Sequence, residues 1–258
     1  MLVEHLPYRM QLRLPSEDKW MLKPHRKLVF KETFRTLNRD VWNLEVGEKW
    51  FNDERQCYVD SPKNLQITKQ GLRIIADVSP TLNKCRYQSI RMNTKDKKEW
   101  QYGTFIARAK LPHGKGSWPA IWFLGHDIGD VKWPLCGEID LLEMVGHDPE
   151  VMHFSLHSHL HNHIIKTQRT KFQRIPGIME GFHDYKMIWR PEGISFFIDD
   201  IHYVTFEKKP GDSVESWPFD KPYYLIINIA VGGTWGGKIV EQDMPYVMDV
   251  EKIEVYQE

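Results

Sequence analysis

Three acidic side chains lie within six residues in the segment Gly137–Met144, whose sequence is GEIDLLEM. On an extended strand Glu138 and Asp140 point to one face of the sheet, whereas the odd spacing directs Glu143 to the other face. A carboxylate buried there without a partner would be unfavourable. One extra residue, accommodated as a β-bulge near the Leu-Leu pair, returns Glu143 to the face of the other two acids. The segment therefore predicts a bulged strand that presents three carboxylates in a row.

Two neighbouring carboxyl groups are what the retaining hydrolysis of a glycosidic bond requires. One attacks the anomeric carbon as a carboxylate, while the other protonates the leaving oxygen and then activates water. A separation of about 5–5.5 Å between the two carboxyl groups suits this double displacement. The middle acid, Asp140, is placed to hold Glu138 and to share protons with both glutamates. A solvated acidic strand or a cation site is the alternative interpretation.

The elements that must position these acids are short strands. Segments with the residue types and alternation of strands, bounded by Gly, Pro, Asn or Asp, are Lys27–Phe34, Asn64–Thr68, Leu72–Val78, Tyr102–Leu111, Ala120–Leu124, Tyr185–Trp189, Ile194–Ile198 and Tyr223–Val231. The pair Asp199-Asp200 predicts a hairpin turn, and no stretch of ten residues favours a helical period. We expect one all-β domain over residues 26–258, built from two antiparallel sheets packed face to face, after an irregular arm over residues 1–25.

Composition excludes several classes of protein. The 258 residues carry 35 basic and 35 acidic side chains, which gives no electrostatic reason to expect a nucleic acid or an anionic membrane as partner. No run approaches the roughly 18 apolar residues of a membrane helix. The chain also contains 10 Trp, 10 Tyr and 12 Phe, and this density indicates that some tryptophans line a surface groove.

The three cysteines, Cys57, Cys85 and Cys136, are too few for a disulfide framework and form no CxxC pair. Both a fully reduced state and one disulfide with one free thiol are compatible with this count. The first residues lack the long apolar stretch of an export signal. Either the protein has no such signal, or the signal is absent from this chain.

The acidic strand resembles the active-site strand of glycoside hydrolase family 16, in the bulged ExDxxE form of the laminarinase-like β-glucanases. Other segments similar to the family, in the family's order and spacing, are Asn52–Tyr58, Ser89–Arg91, Trp118–Trp122, Phe182–Trp189 and Asn228–Trp235. The likeness extends from about Leu28 to Tyr256. It implies a jelly-roll sandwich with an open cleft across one concave sheet. It also implies that Glu138 is the nucleophile, Glu143 the acid/base and Asp140 an assisting carboxylate.

The same resemblance indicates which residues bind substrate. Trp118 and Trp122 match cleft tryptophans, and flat indole faces stack on the apolar C–H faces of sugar rings. Their alternative role is core packing. Asn52 and Arg91 match positions that contact sugar hydroxyls, with a surface or turn position as the alternative. Trp235 follows the penultimate strand and is included among the predicted substrate contacts.

Five histidines lie within eleven residues, and the last four alternate: His153, His157, His159, His161 and His163. Four imidazoles on one face of a strand would favour a zinc site. No carboxylate or thiol is interleaved, however, and the strand is expected to break near residues 159–162. Because the family resemblance places a histidine near the leaving-group subsites, we expect a cleft role for His157 instead of a zinc site.

The resemblance further implies a structural Ca²⁺ on the convex side, far from the cleft. Glu32, Gly71 and Asp249 match the positions of its ligands, and hard oxygen ligands suit Ca²⁺. Glu32 stands where Asp is common in the family, and Thr33 where Glu is common. No cofactor is expected to be required for catalysis.

These observations lead to one functional expectation and two alternatives. We expect a retaining endo-β-glucanase that cleaves β-1,3 or mixed β-1,3/1,4 glucans, acts as a monomer and works outside the cell or at its surface, with a cytoplasmic location as the alternative. A hydrolase of a sulfated algal galactan would place basic residues in the cleft, and residues 138–146 contain none. A glucan-binding module without catalysis is opposed by the three intact acids.

Overall fold

The computed structural model describes residues 22–79 and 85–258. Most of the predicted N-terminal arm, residues 1–21, therefore lies outside the described residues. Residues 22–26 contain no regular secondary structure, and hydrogen bonds at His25 and Lys23 attach them to the sandwich. The amide of His25 donates to Thr104 Oγ1 at 2.8 Å, and Arg190 Nε donates to the Lys23 carbonyl at 2.7 Å.

Strands dominate the described chain. In chain order they are β1 (Lys27–Glu32), β2 (Asn43–Leu44), β3 (Gln56–Tyr58), β4 (Leu65–Thr68), β5 (Gly71–Val78), β6 (Tyr87–Ser89), β7 (Arg91–Asn93), β8 (Glu99–Trp100), β9 (Gly103–Lys110), β10 (Ser117–Gly125), β11 (Glu138–Glu143), β12 (Val151–His157), β13 (Arg169–Arg174), β14 (His183–Arg190), β15 (Gly193–Ile198), β16 (Ile201–Glu207), β17 (Tyr223–Val231) and β18 (Tyr246–Gln257). Between residues 22 and 79 and from residue 85 onward, the helical elements are two short turns, α1 (Ile128–Val131) and α2 (Gly233–Gly236), and a 3₁₀ turn over Glu241–Asp243. None of these described turns is long and apolar enough to cross a membrane.

The strands form two sheets. The first has the order β16-β15-β14-β9-β18-β5-β6-β3, with β1 paired to β18 and β4 to β5. The second has the order β13-β12-β11-β10-β17-β7-β2, with β8 paired to β17. The described pairs are antiparallel except β3 with β6. The predicted all-β sandwich of antiparallel sheets is confirmed.

The core lies between the two sheets and is rich in aromatic rings. Phe105 on β9 meets Phe123 on β10 with ring centroids 5.0 Å apart in an edge-to-face arrangement, the geometry that aromatic pairs prefer. All nine residues of β17 are buried, and the strand lies between β10 and β7 in the second sheet. The predicted Asp199-Asp200 turn joins β15 to β16, and both residues adopt positive φ angles, of 48° and 65°.

Of the two cysteine states that the sequence allows, the structure contains the one with a disulfide and a free thiol. Cys57 and Cys85 form a disulfide, with Cα atoms 5.5 Å apart. Cys136 is buried and unpaired. The disulfide joins β3 to the segment that enters β6 and so closes a loop at the edge of the first sheet.

Two of the three predicted calcium ligands already have protein partners. Arg73 donates from Nε to Asp249 Oδ1 at 2.7 Å and from Nη2 to Asp249 Oδ2 at 3.0 Å, so a guanidinium engages both carboxylate oxygens. The Gly71 carbonyl accepts a hydrogen bond from Thr68 Oγ1 at 3.1 Å. The positive charge beside Asp249 is therefore supplied by Arg73.

The third predicted ligand, Glu32, is also engaged. Its Oε1 accepts the backbone N–H of Phe34 at 2.7 Å, and its Oε2 accepts the indole N–H of Trp42 at 3.2 Å. Both carboxylate oxygens of Glu32, at the end of β1, therefore accept hydrogen bonds from the protein. Each of the three groups therefore has a protein partner in this structure, and the calcium site stays a prediction.

Candidate active site

The acidic strand β11 is bulged. It lies between β10 and β12, and Asp140 pairs with Ser155 while Glu143 pairs with His153. Three residue steps on β11 therefore face two steps on β12, which is the one-residue excess of a β-bulge. Leu141 and its neighbour Leu142 both point into the core. The predicted bulge is confirmed, and it returns Glu143 to the same face as Glu138 and Asp140. This face of the second sheet is called the cleft face below.

Each outer carboxylate accepts an indole N–H. Trp133 donates from Nε1 to Glu138 Oε2 at 2.9 Å, and Trp118 donates from Nε1 to Glu143 Oε1 at 2.9 Å. Trp118 belongs to β10, the neighbouring strand, whereas Trp133 lies in the loop between α1 and β11. A hydrogen bond to the ionised form favours that form. Both tryptophans therefore stabilise negative charge on the glutamate that they contact.

Trp133 was not predicted from the sequence. It is five residues before Glu138 in an irregular loop, so no strand periodicity relates the two side chains. The loop folds back so that the Trp133 ring lies 5.0 Å from the His163 ring and 6.2 Å from the His157 ring. The density of tryptophan near the acids was the one available signal.

His157 joins the acidic cluster from β12. It pairs directly with Glu138 across the strands, and its Nε2 lies 3.6 Å from Glu138 Oε1 and 3.4 Å from Asp140 Oδ2. One oxygen or nitrogen of each of the three side chains lies within 4.8 Å of the others. The predicted cleft position of His157 is therefore observed, and its imidazole is placed to stabilise charge on two carboxylates.

Burial governs the protonation of the three acids. It raises the pKa of Glu138, Asp140 and Glu143 each to about 8. At Glu138 the neighbouring Asp140 and Glu143 raise the pKa further, whereas His157 and the indole of Trp133 lower it. At Glu143 the indole of Trp118 lowers the pKa. The cluster therefore retains protons at neutral pH and shares them among adjacent groups.

The remaining histidines do not form a four-histidine metal site in the described residues. Strand β12 ends at His157, so His159 and His161 lie in the following turn and leave the alternating pattern. The His163 ring returns to lie 5.3 Å from His157, and burial lowers the pKa of His163. The predicted break of the strand near residues 159–162 explains why the zinc alternative fails.

The two predicted tryptophans of β10 both lie half-buried on the cleft face. Trp118 meets the Trp235 ring edge-on at 5.2 Å, and Trp235 in turn lies 4.8 Å from the His153 ring. Trp122 donates from Nε1 to Asn228 Oδ1 at 2.7 Å. The three indole rings therefore lie beside the acids, two of them on β10 and one in α2.

Arg91 is less accessible than the sequence indicated. Its guanidinium carbon lies 5.3 Å from the Trp50 ring and 4.8 Å from the Trp122 ring, and its Nε is 3.0 Å from Glu45 Oε2. The side chain is 12% exposed. Arg91 is therefore packed between two indole rings and contacts the Trp122 ring by a cation–π interaction.

Asn52 lies at the end of the cleft face near α2. It adopts a positive φ of 58°, a conformation that Asn tolerates better than most residues. Its carbonyl accepts the backbone N–H of Thr234 at 2.8 Å. Nearby, Glu54 was missed by sequence reasoning. Its Oε2 accepts Gln56 Nε2 at 2.7 Å, and burial raises its pKa.

Comparisons with known proteins agree with this geometry. The family model described as "Glycosyl hydrolases family 16" matches residues 49–247. A β-glucanase of Rhodothermus marinus is 37% identical over 245 residues, which cover 90% of this chain and 86% of the relative. The crystal structure of a laminarinase from Flavobacterium sp. UMI-01 has a TM-score of 0.83 and 41% identity, and the match covers 90% of this chain and 100% of that one.

A laminarinase structure from Rhodothermus marinus superposes with a TM-score of 0.86 at 38% identity, covering 91% of this chain and 98% of that chain. The family match covers more than half of this sequence, and the structural likeness extends over nine-tenths of it. The resemblance inferred from the acidic strand is therefore confirmed. The chain belongs to glycosyl hydrolase family 16.

Proposed function

We propose that this protein is a retaining endo-β-glucanase that hydrolyses β-1,3 or mixed β-1,3/1,4 glucans. The observation that carries the proposal is the bulged strand β11, which presents Glu138 and Glu143 on one aromatic face with an indole N–H on each carboxylate. The β-glucanase and laminarinase relatives support the substrate class.

Glu138 is assigned as the nucleophile. Its carboxylate accepts the N–H of Trp133 and faces His157 on the other side, so two groups favour its ionised form. In the first step one carboxylate oxygen bonds to the anomeric carbon as the glycosidic C–O bond breaks. The negative charge of Glu138 is consumed in the resulting ester.

Glu143 is assigned as the acid and then the base. Burial raises its pKa to about 8, so at neutral pH it holds the proton that the leaving oxygen needs. Once the leaving sugar has taken that proton, ionised Glu143 removes a proton from the incoming water. Water then displaces Glu138 from the anomeric carbon and restores the starting state.

Asp140 is assigned as the assisting carboxylate. It is buried between the two glutamates on the cleft face and lies 3.4 Å from His157 Nε2. Because burial raises its pKa to about 8, it can keep a proton while Glu138 is ionised. This arrangement spares the cluster a second negative charge beside the nucleophile.

The cleft surface suits a neutral, flat sugar chain. Half-buried Trp118 and Trp122 offer indole faces for the C–H faces of β-linked glucosyl rings. Within the described ranges, the cation that contacts Trp122 is Arg91, which is already paired with Glu45 and held between two rings. A sulfated galactan is therefore less favoured, because Arg91 is not free to bind a sulfate.

A location in an oxidising compartment is part of the proposal. The Cys57–Cys85 disulfide supports it, because disulfides persist mainly in secreted, periplasmic or cell-surface proteins. A soluble or wall-bound polysaccharide is then the natural partner, and we propose that a single copy of the chain acts on it. Mass determination in solution tests the monomeric state.

The test is to incubate the protein with laminarin, lichenan, agarose and carrageenan and to measure the sizes of the products. Proton NMR of fresh product reports the anomeric configuration before mutarotation. We expect a ladder of oligosaccharides from laminarin or lichenan, with the β anomer appearing first. Glu138→Gln, which cannot form the ester, should reduce turnover by at least about 10³-fold. Initial α product, or cleavage of the galactans alone, would contradict the proposal.

A further inference from the structure

Phe172 is an exposed aromatic residue on the cleft face. It lies on β13, the edge strand of the second sheet, and 64% of it is exposed to solvent. The strand register pairs it with His153 on β12, and His153 pairs with Glu143 on β11. Directly opposed residues of antiparallel strands point to the same face. Glu143, His153 and Phe172 therefore form one row across three neighbouring strands.

The rings of this row are arranged as a platform. The His153 and Phe172 rings lie 5.9 Å apart with an angle of 33° between their planes. On its other side His153 meets Trp235 at 4.8 Å, edge-on. Burial lowers the pKa of His153, so its imidazole is neutral at pH 7 and presents a ring without charge. A continuous aromatic surface thus leads from the acid/base outward to the edge of the sheet.

An exposed phenylalanine on an edge strand requires an explanation. Edge strands usually carry charged or polar side chains, which prevent pairing with other chains. The other residues of β13 follow this rule, with the sequence Arg-Thr-Lys, then Gln-Arg after Phe172. Within the described residues, His153 is the ring that contacts Phe172. The apolar ring is therefore kept at a position where folding alone would favour a polar residue.

The position identifies which part of a substrate would reach it. Strands are about 4.8 Å apart, so β13 lies roughly 10 Å from β11 across the sheet. A glucan that crosses the strands therefore places over Phe172 a sugar beyond the one next to the scissile bond. The opposite side of β11 carries Trp118, Trp122, Asn228 and the supported Arg91.

The row that holds Phe172 is the row of the acid/base. His153 pairs with Glu143 across the strands, whereas His157, further along β12, pairs with Glu138. Because Glu143 protonates the leaving oxygen, the sugar that departs in the first step lies on the Glu143 side of the scissile bond. Phe172 and His153 extend that side to the edge of the sheet.

We propose that Phe172 and His153 form a subsite for the acceptor side of the glucan, the part that leaves in the first step. The inference rests on the proposed function. The C–H face of a glucosyl ring stacks on Phe172, with His153 against its edge. The same subsite would hold an incoming sugar that replaces water. Its hydroxyl oxygen then bonds to the anomeric carbon, the ester bond to Glu138 breaks, and Glu143 takes the hydroxyl proton.

The test compares Phe172→Ala with a matched control, Gln173→Ala. Gln173 lies on the same edge strand and is also exposed, but it points to the opposite face. Two substrates separate the sides of the cleft: laminarihexaose, which fills both, and nitrophenyl β-laminaribioside, whose leaving group is a single aryl ring. Phe172→Trp keeps a flat ring and checks that stacking is what matters.

We expect Phe172→Ala to lower kcat/KM on laminarihexaose by roughly 3- to 10-fold, the size of one aromatic contact. Activity on the nitrophenyl substrate should stay unchanged. When laminaribiose is added as an acceptor, the variant should form less of the longer oligosaccharides than the wild type forms. Phe172→Trp and Gln173→Ala should both behave as the wild type, and circular dichroism should show all variants folded.

Three results would overturn the inference: equal losses on both substrates, a loss on the nitrophenyl substrate alone, or no change in either rate or product distribution. If neither the rate nor the product distribution changes while the wild type is active, only the proposed acceptor subsite is contradicted. A wild type that cleaves neither substrate removes the proposed function itself, so the two failures are distinguishable.

Discussion

Trp133 and His157 contact Glu138, Trp118 contacts Glu143, and His157 lowers the pKa of both glutamates. Glu138 has an indole N–H at 2.9 Å and an imidazole nitrogen at 3.6 Å, whereas Glu143 has the single indole of Trp118 at 2.9 Å. Each of these groups favours the ionised form of the carboxyl group that it contacts. Burial opposes these contacts and raises the pKa of both glutamates to about 8. The direct pairing of His157 with Glu138 is the contact that distinguishes the two.

The role of Glu143 can be tested by its removal. Glu143→Ala should slow glucan hydrolysis by about 10²–10⁴-fold, the usual contribution of a general acid. Dinitrophenyl glycosides should lose much less in the glycosylation step, because their leaving group departs without a proton. Azide should restore part of the turnover, because it can attack the covalent intermediate in place of activated water. The product should be the β-configured glycosyl azide. Equal losses on both kinds of substrate would argue against the acid role.

The pH dependence tests the role of Trp133. Trp133→Phe removes the N–H that stabilises ionised Glu138, so the pKa of Glu138 should rise. Since the nucleophile must be ionised, the acidic limb of the kcat/KM profile should move to higher pH, by up to about one pH unit for one hydrogen bond. Trp235→Phe is the control, because Trp235 contacts rings of the cleft and bonds neither glutamate. Identical profiles for both variants would contradict the assignment.

At the residue scale, the sequence predicts the acids but not their partners. Glu138, Asp140 and Glu143 are adjacent in sequence, so strand geometry relates them directly. Trp133 reaches Glu138 through a loop whose path depends on the packing of the whole sheet. Arg91 was assigned a polar role by family position, whereas its place between two indole rings depends on β7, β10 and the loop that carries Trp50. Contacts of that kind have no local signal.

Strand β10 determines which tryptophans face the cleft. Its alternation places Trp118 and Trp122 on the cleft face and Ile121 and Phe123 in the core. Trp118→Ala should therefore reduce kcat/KM on glucan by about 10-fold or more, through lost stacking and a lost bond to Glu143. Its melting temperature should change little.

Phe123→Ala is the matched control on the same strand. It opens a cavity in the core and should cost about 3–5 kcal/mol of unfolding free energy. Thermal melts and glucan kinetics on both variants separate binding from packing. A large loss of stability in Trp118→Ala, with normal kinetics in the folded fraction, would show that Trp118 only packs.

At the element scale, prediction succeeds where burial leaves a strong pattern. The bulge of β11 follows from the cost of burying Glu143, and the structure contains it. Strand β13 has no such pattern, because its residues are mostly exposed and polar on both faces. It pairs with β12 on one side only, and its strand conformation therefore depends on a neighbour that is distant in sequence.

At the scale of the whole molecule, Arg73 supplies the positive charge where the family resemblance implied calcium. Its bidentate pair with Asp249 leads us to expect that chelators leave the melting temperature unchanged. Arg73→Ala should lower the unfolding free energy by about 1–3 kcal/mol, because it leaves the Asp249 carboxylate without its partner. Calorimetry with EDTA and with added Ca²⁺ checks both expectations. A fall in melting temperature on chelation of the wild type would restore the calcium hypothesis.

The acidic cluster also makes the stability of the fold depend on pH. Burial raises the pKa of Glu143 to about 8, well above the value of about 4.5 from which it starts. A raised pKa means that the folded state holds a proton that the unfolded state releases, so this contribution is full below about pH 4 and is lost as pH rises through 8. The protein should therefore resist denaturant less well at pH 8 than at pH 5.

Glu143→Gln removes the titration while keeping the shape of the side chain. Relative to the wild type, the variant should gain more stability at pH 8 than at pH 5, with a difference of about 1–3 kcal/mol after allowance for the partial solvent access of the site. Glu241→Gln is the control: Arg86 lowers the pKa of Glu241, so this group stays ionised in both states over the same range. Urea titrations at the two pH values measure the differences. An equal gain at both pH values would show that Glu143 is ionised in the folded protein and would remove the basis for its role as a neutral-pH acid.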